Sequence, residues 1–369
     1  MILTSFDTLV PGHIKAFKPY IPSRPDDVLM KMYNCQYLHR LNNNENPLGP
    51  PMAAQRVLAD FPPPRAAIYP SGDAFHLRCR LGDKFGLHPD QILVGNGSNE
   101  VISFVIKAFC QEGDNIVTAD KTFAVYEWIA QFSGFEPRLV PLKNFEFDDM
   151  GMLKAIDNKT KIVFLCNPNN PTGQYWSEKK LRNFLDKLNG RQILVMDEAY
   201  FEFVDKKDFP NGIKLIDEYP NLVVFRTFSK MYALAGLRIG YLAGSLEIVE
   251  LIRRTCVVYS VNTLAQIAAF ECINDQEHIF KTREMVDTGK EFLIKELKTM
   301  GLKTIFGQGN FIMVKLPIND SLAYRKLMSQ GIMVRSMTGF RAPDWIRITM
   351  HHKNILEKFL EALLKILKD

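Results

Sequence analysis

Lys230 stands in an odd setting for a charged side chain. The stretch FRTFSKMYALAGLRIGY (225–241) is apolar and rich in small residues, and it places Arg238 eight residues after the lysine. A lysine screened from water and set near other cations has a lowered pKa. The neutral amine that results is what condensation with a carbonyl requires. Thr227 and Ser229 precede the lysine, and with Arg238 they could form an anion site of two hydroxyls and one guanidinium fork. The pattern predicts a strand ending here and a helix starting in the small residues ALAG. Taken alone, the stretch also fits a plain basic helix start.

Other segments end in the same way, with reactive residue types just after an apolar run. QILVGN (91–96) leads into Gly97, Ser98 and Asn99 at a predicted helix start, where backbone N–H groups make a natural phosphate seat. Glycine before a helix is equally ordinary turn chemistry. KIVFLCN (161–167) leads into PNNPTG (168–173), whose prolines stiffen a turn that can hold an amide outward. ILVM leads into DEAY (197–200), and an acid ending an apolar strand must find a cation or a helix terminus. Together these ends offer a phosphate seat, an amide, a buried acid and an activated lysine. One small molecule answers all of them. Pyridoxal 5′-phosphate carries a phosphate, an aldehyde and a ring nitrogen that a carboxylate keeps protonated.

The elements that must position these residues are legible as periodic runs. QILVGN, NIVTAD (115–120), KIVFLCN, ILVMDEAY (193–200) and NLVVFRTFS (221–229) read as strands between helical patterns, with YLAGS (241–245) as a possible further strand. That alternation predicts an α/β fold, a mostly parallel sheet with helices on both faces. In such sheets ligands bind beyond the carboxyl ends of the strands. Residues 1–40, punctuated by Pro11, Pro19, Pro22 and Pro25, read as an extended arm. Residues 41–250 read as the large domain, and 251–369, with strands at 310–316 and 345–350, as a smaller α+β domain.

Composition excludes several alternatives. A net charge of +5 over 369 residues, with both signs interspersed, is too mild for a nucleic-acid binder. No run approaches the roughly 18 apolar residues of a membrane span. The first residues, MILTSFDTLV, lack signal-peptide features, and the expected location is the cytoplasm. Six scattered cysteines and seven histidines show no metal-ligand or disulfide spacing.

At this point the chain resembles the fold-type I pyridoxal-phosphate enzymes, and within them the histidinol-phosphate aminotransferase family. GNGSNE, NPNNPTG, DEAY and RTFSK…ALAGLRIGY carry the resemblance jointly, and LNNNENPLG with IYPSGD narrows it to that branch. The resemblance implies that Lys230 condenses with the cofactor aldehyde and then shuttles a proton between Cα and C4′. It gives Asp197 to the pyridine nitrogen, Asn170 and Tyr200 to the ring hydroxyl, and Phe123 to the ring face. Ser98, Asn99, Thr227, Ser229 and Arg238 would hold the phosphate. Tyr69 would reach the phosphate of a neighbouring subunit's cofactor, which implies a homodimer with shared active sites. Arg347 would bind the α-carboxylate of the amino acid and Arg335 the distal anion, with Tyr20 and Asn46 near the substrate.

The implied reaction is transamination between L-histidinol phosphate and 2-oxoglutarate, a step of histidine biosynthesis. An aromatic amino-acid aminotransferase and a decarboxylase of the threonine-phosphate type are the rivals on the same scaffold. A ligand-sensing transcription regulator would need a further DNA-binding domain, for which the residues before NNNENP are too few. Three positions depart from the family pattern: HHKN after IRITM, Arg341 in TGFR, and SNE in place of SDE. The first two follow the substrate arginines in sequence and are expected to bear on substrate choice.

Overall fold

The apolar runs become a seven-stranded sheet whose middle strands are buried on both faces. The structure is a computed structural model describing residues 6–18, 24–188 and 190–368. In chain order the strands are β1 (His39–Arg40), β2 (Ile92–Gly95), β3 (Asn115–Ala119), β4 (Glu136–Val140), β5 (Thr160–Cys166), β6 (Ile193–Asp197) and β7 (Leu222–Thr227). They continue as β8 (Gly240–Ala243), β9 (Thr304–Phe306), β10 (Phe311–Lys315), β11 (Ile332–Met333), β12 (Arg335–Ser336) and β13 (Trp345–Thr349). The large sheet runs β2-β8-β7-β6-β5-β3-β4. Only β8 opposes its neighbours, pairing antiparallel with β2 and β7, while β3 to β7 pair in parallel. Every residue of β7 is buried, its apolar run Leu222–Phe225 and the polar Arg226 and Thr227 alike, as a central strand between two helical layers requires. β4 has no counterpart among the strands expected from the sequence. Its EPRLV carries a proline and two charges, which only an edge strand tolerates, and β4 is an edge.

Two expectations are corrected here. The small residues after Lys230 do not start an α-helix: Ala235–Leu237 form one 3₁₀ turn, and the chain returns at once as β8. Nor is the segment before residue 40 simply extended. Gly12–Ala16 and Asp26–Tyr33 are helical, and Leu29 packs against Met328 and Met333. β1 then pairs in parallel with β11, which ties the end of the arm to the C-terminal unit.

That unit is built on the antiparallel sheet β12-β13-β10-β9, backed by the helix Gln276–Thr299 and the terminal helix Lys353–Lys368. The terminal helix buries Ile355, Leu356, Phe359, Leu360, Leu363 and Ile366, an i, i+3, i+4 stripe against solvent-facing lysines. Among the described residues no helix is long and apolar enough to cross a membrane.

Candidate active site

A cavity of about 1000 Å³ opens where the carboxyl ends of β2, β5, β6 and β7 meet the face of the small sheet. Asp197, Tyr200 and Asn170 line it, as do Thr227, Ser229 and Lys230 from the end of β7. Ser98, Asn99, Phe123 and Arg238 close one side, and Arg335 and Arg347 enter from β12 and β13. The arrangement follows from the fold: parallel strands deliver their next residues to one edge of the sheet.

Asp197 and Glu198 show how strand geometry divides two adjacent acids. Successive side chains leave a strand on opposite faces. Glu198 turns to the far side and pairs with Arg226 at 2.7 Å, both groups buried. Asp197 turns to the cavity, where Tyr126 Oη donates to its Oδ2 at 2.6 Å and Ala199 N donates to its Oδ1 at 3.0 Å. The sequence called for a cation or a helix terminus beside this acid, and its hydrogen-bond partners are a phenol and a backbone amide. Burial therefore pushes the Asp197 carboxyl up, against those two hydrogen bonds and the more distant Lys230. A cationic ring N–H placed beside it would reverse that penalty.

Lys230 is half-buried, and its Nζ donates to Asn43 O at 2.7 Å. Burial lowers its pKa to about 8, and the positive charges of Arg347 and Arg238 act in the same direction. The sequence argument for a neutral amine rested on this pairing of desolvation with neighbouring cations. Phe123 sits T-shaped to Tyr126, with ring centroids 5.5 Å apart.

The phosphate side is arranged around an uncapped helix. Ser98–Phe109 begins after Gly97, and no side chain caps it, so the first N–H groups are left for a ligand. Gly97 has φ +81°, and a Cβ there would collide with the Arg238 guanidinium. Glycine is thus required both by the backbone and by the close approach of the arginine. Thr227 Oγ1 accepts from Ser229 N at 3.0 Å, which folds the strand end into a tight cradle.

On the opposite wall Arg347 is buried. Its Nη1 donates to Asn170 Oδ1 and its Nη2 to Asn42 O, at 2.5 and 2.6 Å. Its Nε has no partner. Among the described residues no carboxylate pairs with it, and burial with nearby Arg335 lowers its pKa to about 10. Arg335 sits beside it in the sheet register, its guanidinium 5.8 Å from the Phe340 ring centroid. Two guanidinium groups without an acid between them form a receptor for an anion.

Several expected residues lie elsewhere. Asn46 is not among the residues lining the cavity; its side chain donates to Met231 O at 2.8 Å and Thr282 Oγ1 at 3.1 Å, bracing the backbone after Lys230. Tyr69 is 80% exposed and stacks on Tyr259 at 4.9 Å. Tyr20 lies outside the described residues. Arg341 does not reach the cavity, because a two-pronged ion pair with Glu127, at 2.7 and 2.9 Å, holds it. His351 and His352 lie past the end of β13, away from the cavity, and burial lowers the His351 pKa to about 4.

Two contributors escaped the sequence reading. Tyr126 is three residues after Phe123, in the first turn of the helix Val125–Phe132, while Phe123 lies in the loop just before it. The available signal was their closeness in TFAVY. Asn44 donates to Tyr200 Oη at 2.8 Å, and no local pattern announces it.

A flat phosphorylated pyridine aldehyde fits this donor set. Asp197 supplies a desolvated carboxylate without a cation, Lys230 a weakly basic amine, and Gly97 to Asn99 with Arg238 an uncapped helix start beside a guanidinium. Among the described residues no cluster could hold a metal ion.

The model of the family described as aminotransferase class I and II matches residues 38–363. Histidinol-phosphate aminotransferase 2 of Pseudomonas fluorescens is 36% identical over 97% of this chain and 96% of its own. The histidinol-phosphate aminotransferase of Caldicellulosiruptor saccharolyticus is 36% identical over 96% and 99%. Among solved structures, the histidinol-phosphate aminotransferase of Sinorhizobium meliloti in complex with pyridoxal 5′-phosphate superposes with a TM-score of 0.87. It covers 97% of each chain at 23% identity, a likeness of fold.

Proposed function

Because the chain belongs to the class I and II aminotransferases, we propose that it moves an amino group between L-histidinol phosphate and 2-oxoglutarate, with pyridoxal 5′-phosphate as cofactor. The products are imidazole-acetol phosphate and glutamate. The observation that carries the reading is the facing pair of walls: Lys230 and Asp197 on one, Arg347 and Arg335 on the other.

The cofactor supplies an electron sink for the pair released when the substrate Cα–H bond breaks. The chain's own residues do the rest. Asp197 would hold the ring nitrogen, with Tyr126 fixing the carboxylate. Tyr200 and Asn170 would meet the ring oxygen, and Gly97 to Asn99, Thr227, Ser229 and Arg238 would hold the phosphate. Lys230, whose amine burial holds below the usual lysine range, would take the proton from Cα and return it on the other side of the transfer. Arg347 and Arg335 grip carboxylate or phosphate, so one site serves a substrate with two carboxylates and another with a phosphate and none. The narrow support for histidinol phosphate is the named activity of the 36%-identical relatives.

The test compares kcat/KM for histidinol phosphate, phenylalanine and threonine phosphate, and follows glutamate and CO₂. Histidinol phosphate should lead by tenfold or more on the ~1.4 kcal/mol per decade scale. Preference for phenylalanine, or CO₂ release from threonine phosphate, would sink the assignment.

We also propose a homodimer. Ile68, Tyr69, Val257, Val258 and Tyr259 are all exposed, and Val257 lines the cavity, so the apolar patch reaches the site's edge. Tyr69 would then contribute to the partner's phosphate seat. Sedimentation at micromolar concentration checks it, a monomer being the contrary result. A boundary near residue 250 would separate the cofactor unit from the arginine unit, and a cytoplasmic location is the corresponding expectation.

A further inference from the structure

We propose that Asn44 is a positioning residue that holds the Tyr200 hydroxyl as a hydrogen-bond acceptor, so that the Tyr200 O–H proton is directed into the cavity. The proposal rests on the pyridoxal-phosphate reading above.

The observation begins with three consecutive asparagines, each touching a different functional group. Asn42 O accepts from Arg347 Nη2 at 2.6 Å, Asn43 O accepts from Lys230 Nζ at 2.7 Å, and the Asn44 side chain donates to Tyr200 Oη at 2.8 Å. Asn44 itself is pinned. It is buried with φ 56°, a left-handed conformation that asparagine tolerates better than most residues. Asn44 N donates to Thr349 Oγ1 at 2.9 Å, and Asn310 Nδ2 donates to Asn44 O at 3.1 Å. Thr349 Oγ1 in turn donates to Asn44 Oδ1 at 3.2 Å. With Oδ1 engaged by the threonine proton, Nδ2 is the end of the amide that meets Tyr200.

A phenol has one proton and accepts through its lone pairs. Once Asn44 occupies an acceptor position, the proton is free for a group in the cavity that Tyr200 lines. Burial raises the Tyr200 pKa, so the hydroxyl stays protonated and able to donate. A donor aimed at the ring oxygen of the bound cofactor favours its ionised form. Asn44 thereby tunes cofactor acidity through Tyr200, without touching the cofactor. Thr349 lies two residues after Arg347 on β13, so the same asparagine also joins the cofactor wall to the arginine wall.

The test is a double-mutant cycle read by the pH titration of the cofactor's visible absorbance in loaded, substrate-free enzyme. Asn44→Gly keeps the left-handed backbone and removes both side-chain bonds. Its titration should move up by about half a unit or more, a shift measured against the tenfold-per-unit scale of proton affinity. In the Tyr200→Phe background the same substitution should move it by less than a third as much. Should Asn44→Gly fail to load, Asn44→Asp keeps the volume but offers Tyr200 an acceptor in place of a donor, so its upward shift in the Tyr200 background should exceed its shift in the Tyr200→Phe background. Shifts that simply add, or no shift with only a lower melting temperature, would overturn the proposal. Wild-type protein that shows no visible cofactor absorbance would instead overturn the pyridoxal-phosphate reading.

Discussion

The two walls of the cavity treat buried charge in opposite ways. On the parallel-sheet wall the carboxylate is supplied with protein hydrogen bonds: Asp197 has Tyr126 and Ala199. On the antiparallel wall, buried Arg347 has, among the described residues, two neutral partners, an unpaired Nε and no carboxylate. A buried donor left unmatched is unfavourable unless something else arrives to match it. The first wall is therefore built for a resident that stays, held by many fixed contacts. The second is built for an anion that comes and goes.

Breaking the first wall should have the largest effect. Among the described residues, Lys230→Ala removes the one lysine amine lining the cavity apart from Lys107, which is exposed. Turnover should fall by at least ~10⁴-fold, the upper range for a positioned acid–base group. Soluble protein without cofactor-linked visible absorbance should remain. Transamination at an ordinary rate by this variant would remove the basis of the reading.

Arg347→Met breaks the second wall and should leave the first. Removing one partner of a buried charge contact weakens anion binding by about 2–5 kcal/mol. The rise in KM for glutamate should be roughly 30- to 4000-fold, with cofactor absorbance retained. An unchanged KM would place the carboxylate elsewhere.

The walls also speak to each other electrostatically, which gives a smaller effect. The apoprotein's rate of reaction with pyridoxal phosphate should rise with pH up to about 8, the Lys230 value, and level off above it. The sign follows from the amine: only its unprotonated form attacks, and that form grows as pH rises through the pKa. Arg347 is one of the cations that lower this value. In Arg347→Met the ammonium loses a repelling neighbour, so the inflection should move to higher pH. Stopped-flow absorbance across pH 6 to 10 measures both, and an inflection that stays put would uncouple the walls.

The cofactor wall was far more legible in the sequence than the arginine wall. Strand-end residues such as Asp197, Asn170 and Lys230 follow directly from apolar runs, because a parallel sheet delivers them to one edge. Arg335 and Arg347 sit on short strands of two and five residues, and only the resemblance singled them out. Asn46 and Asn44 show the same limit at finer scale. Both belong to LNNNEN, yet one braces Met231 O and the other Tyr200, and side-chain direction in an irregular segment is set by tertiary partners. The helix expected after Lys230 failed because helix-favouring small residues were overruled by the pairing of β8 between β2 and β7.

Arg341 tests whether anything outside the two walls holds them together. It belongs to the small-sheet side, follows the turn Thr338–Phe340, and reaches Glu127 on the helix Val125–Phe132 of the large unit. That helix also carries Tyr126, the partner of Asp197, so the ion pair joins the arginine unit to the element that positions the acid. The Arg341 side chain is 46% exposed, which limits the pair to about 0.2–1 kcal/mol. Glu127→Gln should thus raise KM for both amino donors by no more than about fivefold, leave kcat unchanged, and lose its effect at 1 M salt. Arg341 also has φ 57°, where a glycine would be relaxed and an alanine strained by roughly 1 kcal/mol. Arg341→Gly should therefore melt higher than Arg341→Ala while sharing its KM. Equal melting temperatures would mean the backbone relaxes at this turn, and a KM as high as that of Arg347→Met would make Arg341 part of the anion site after all.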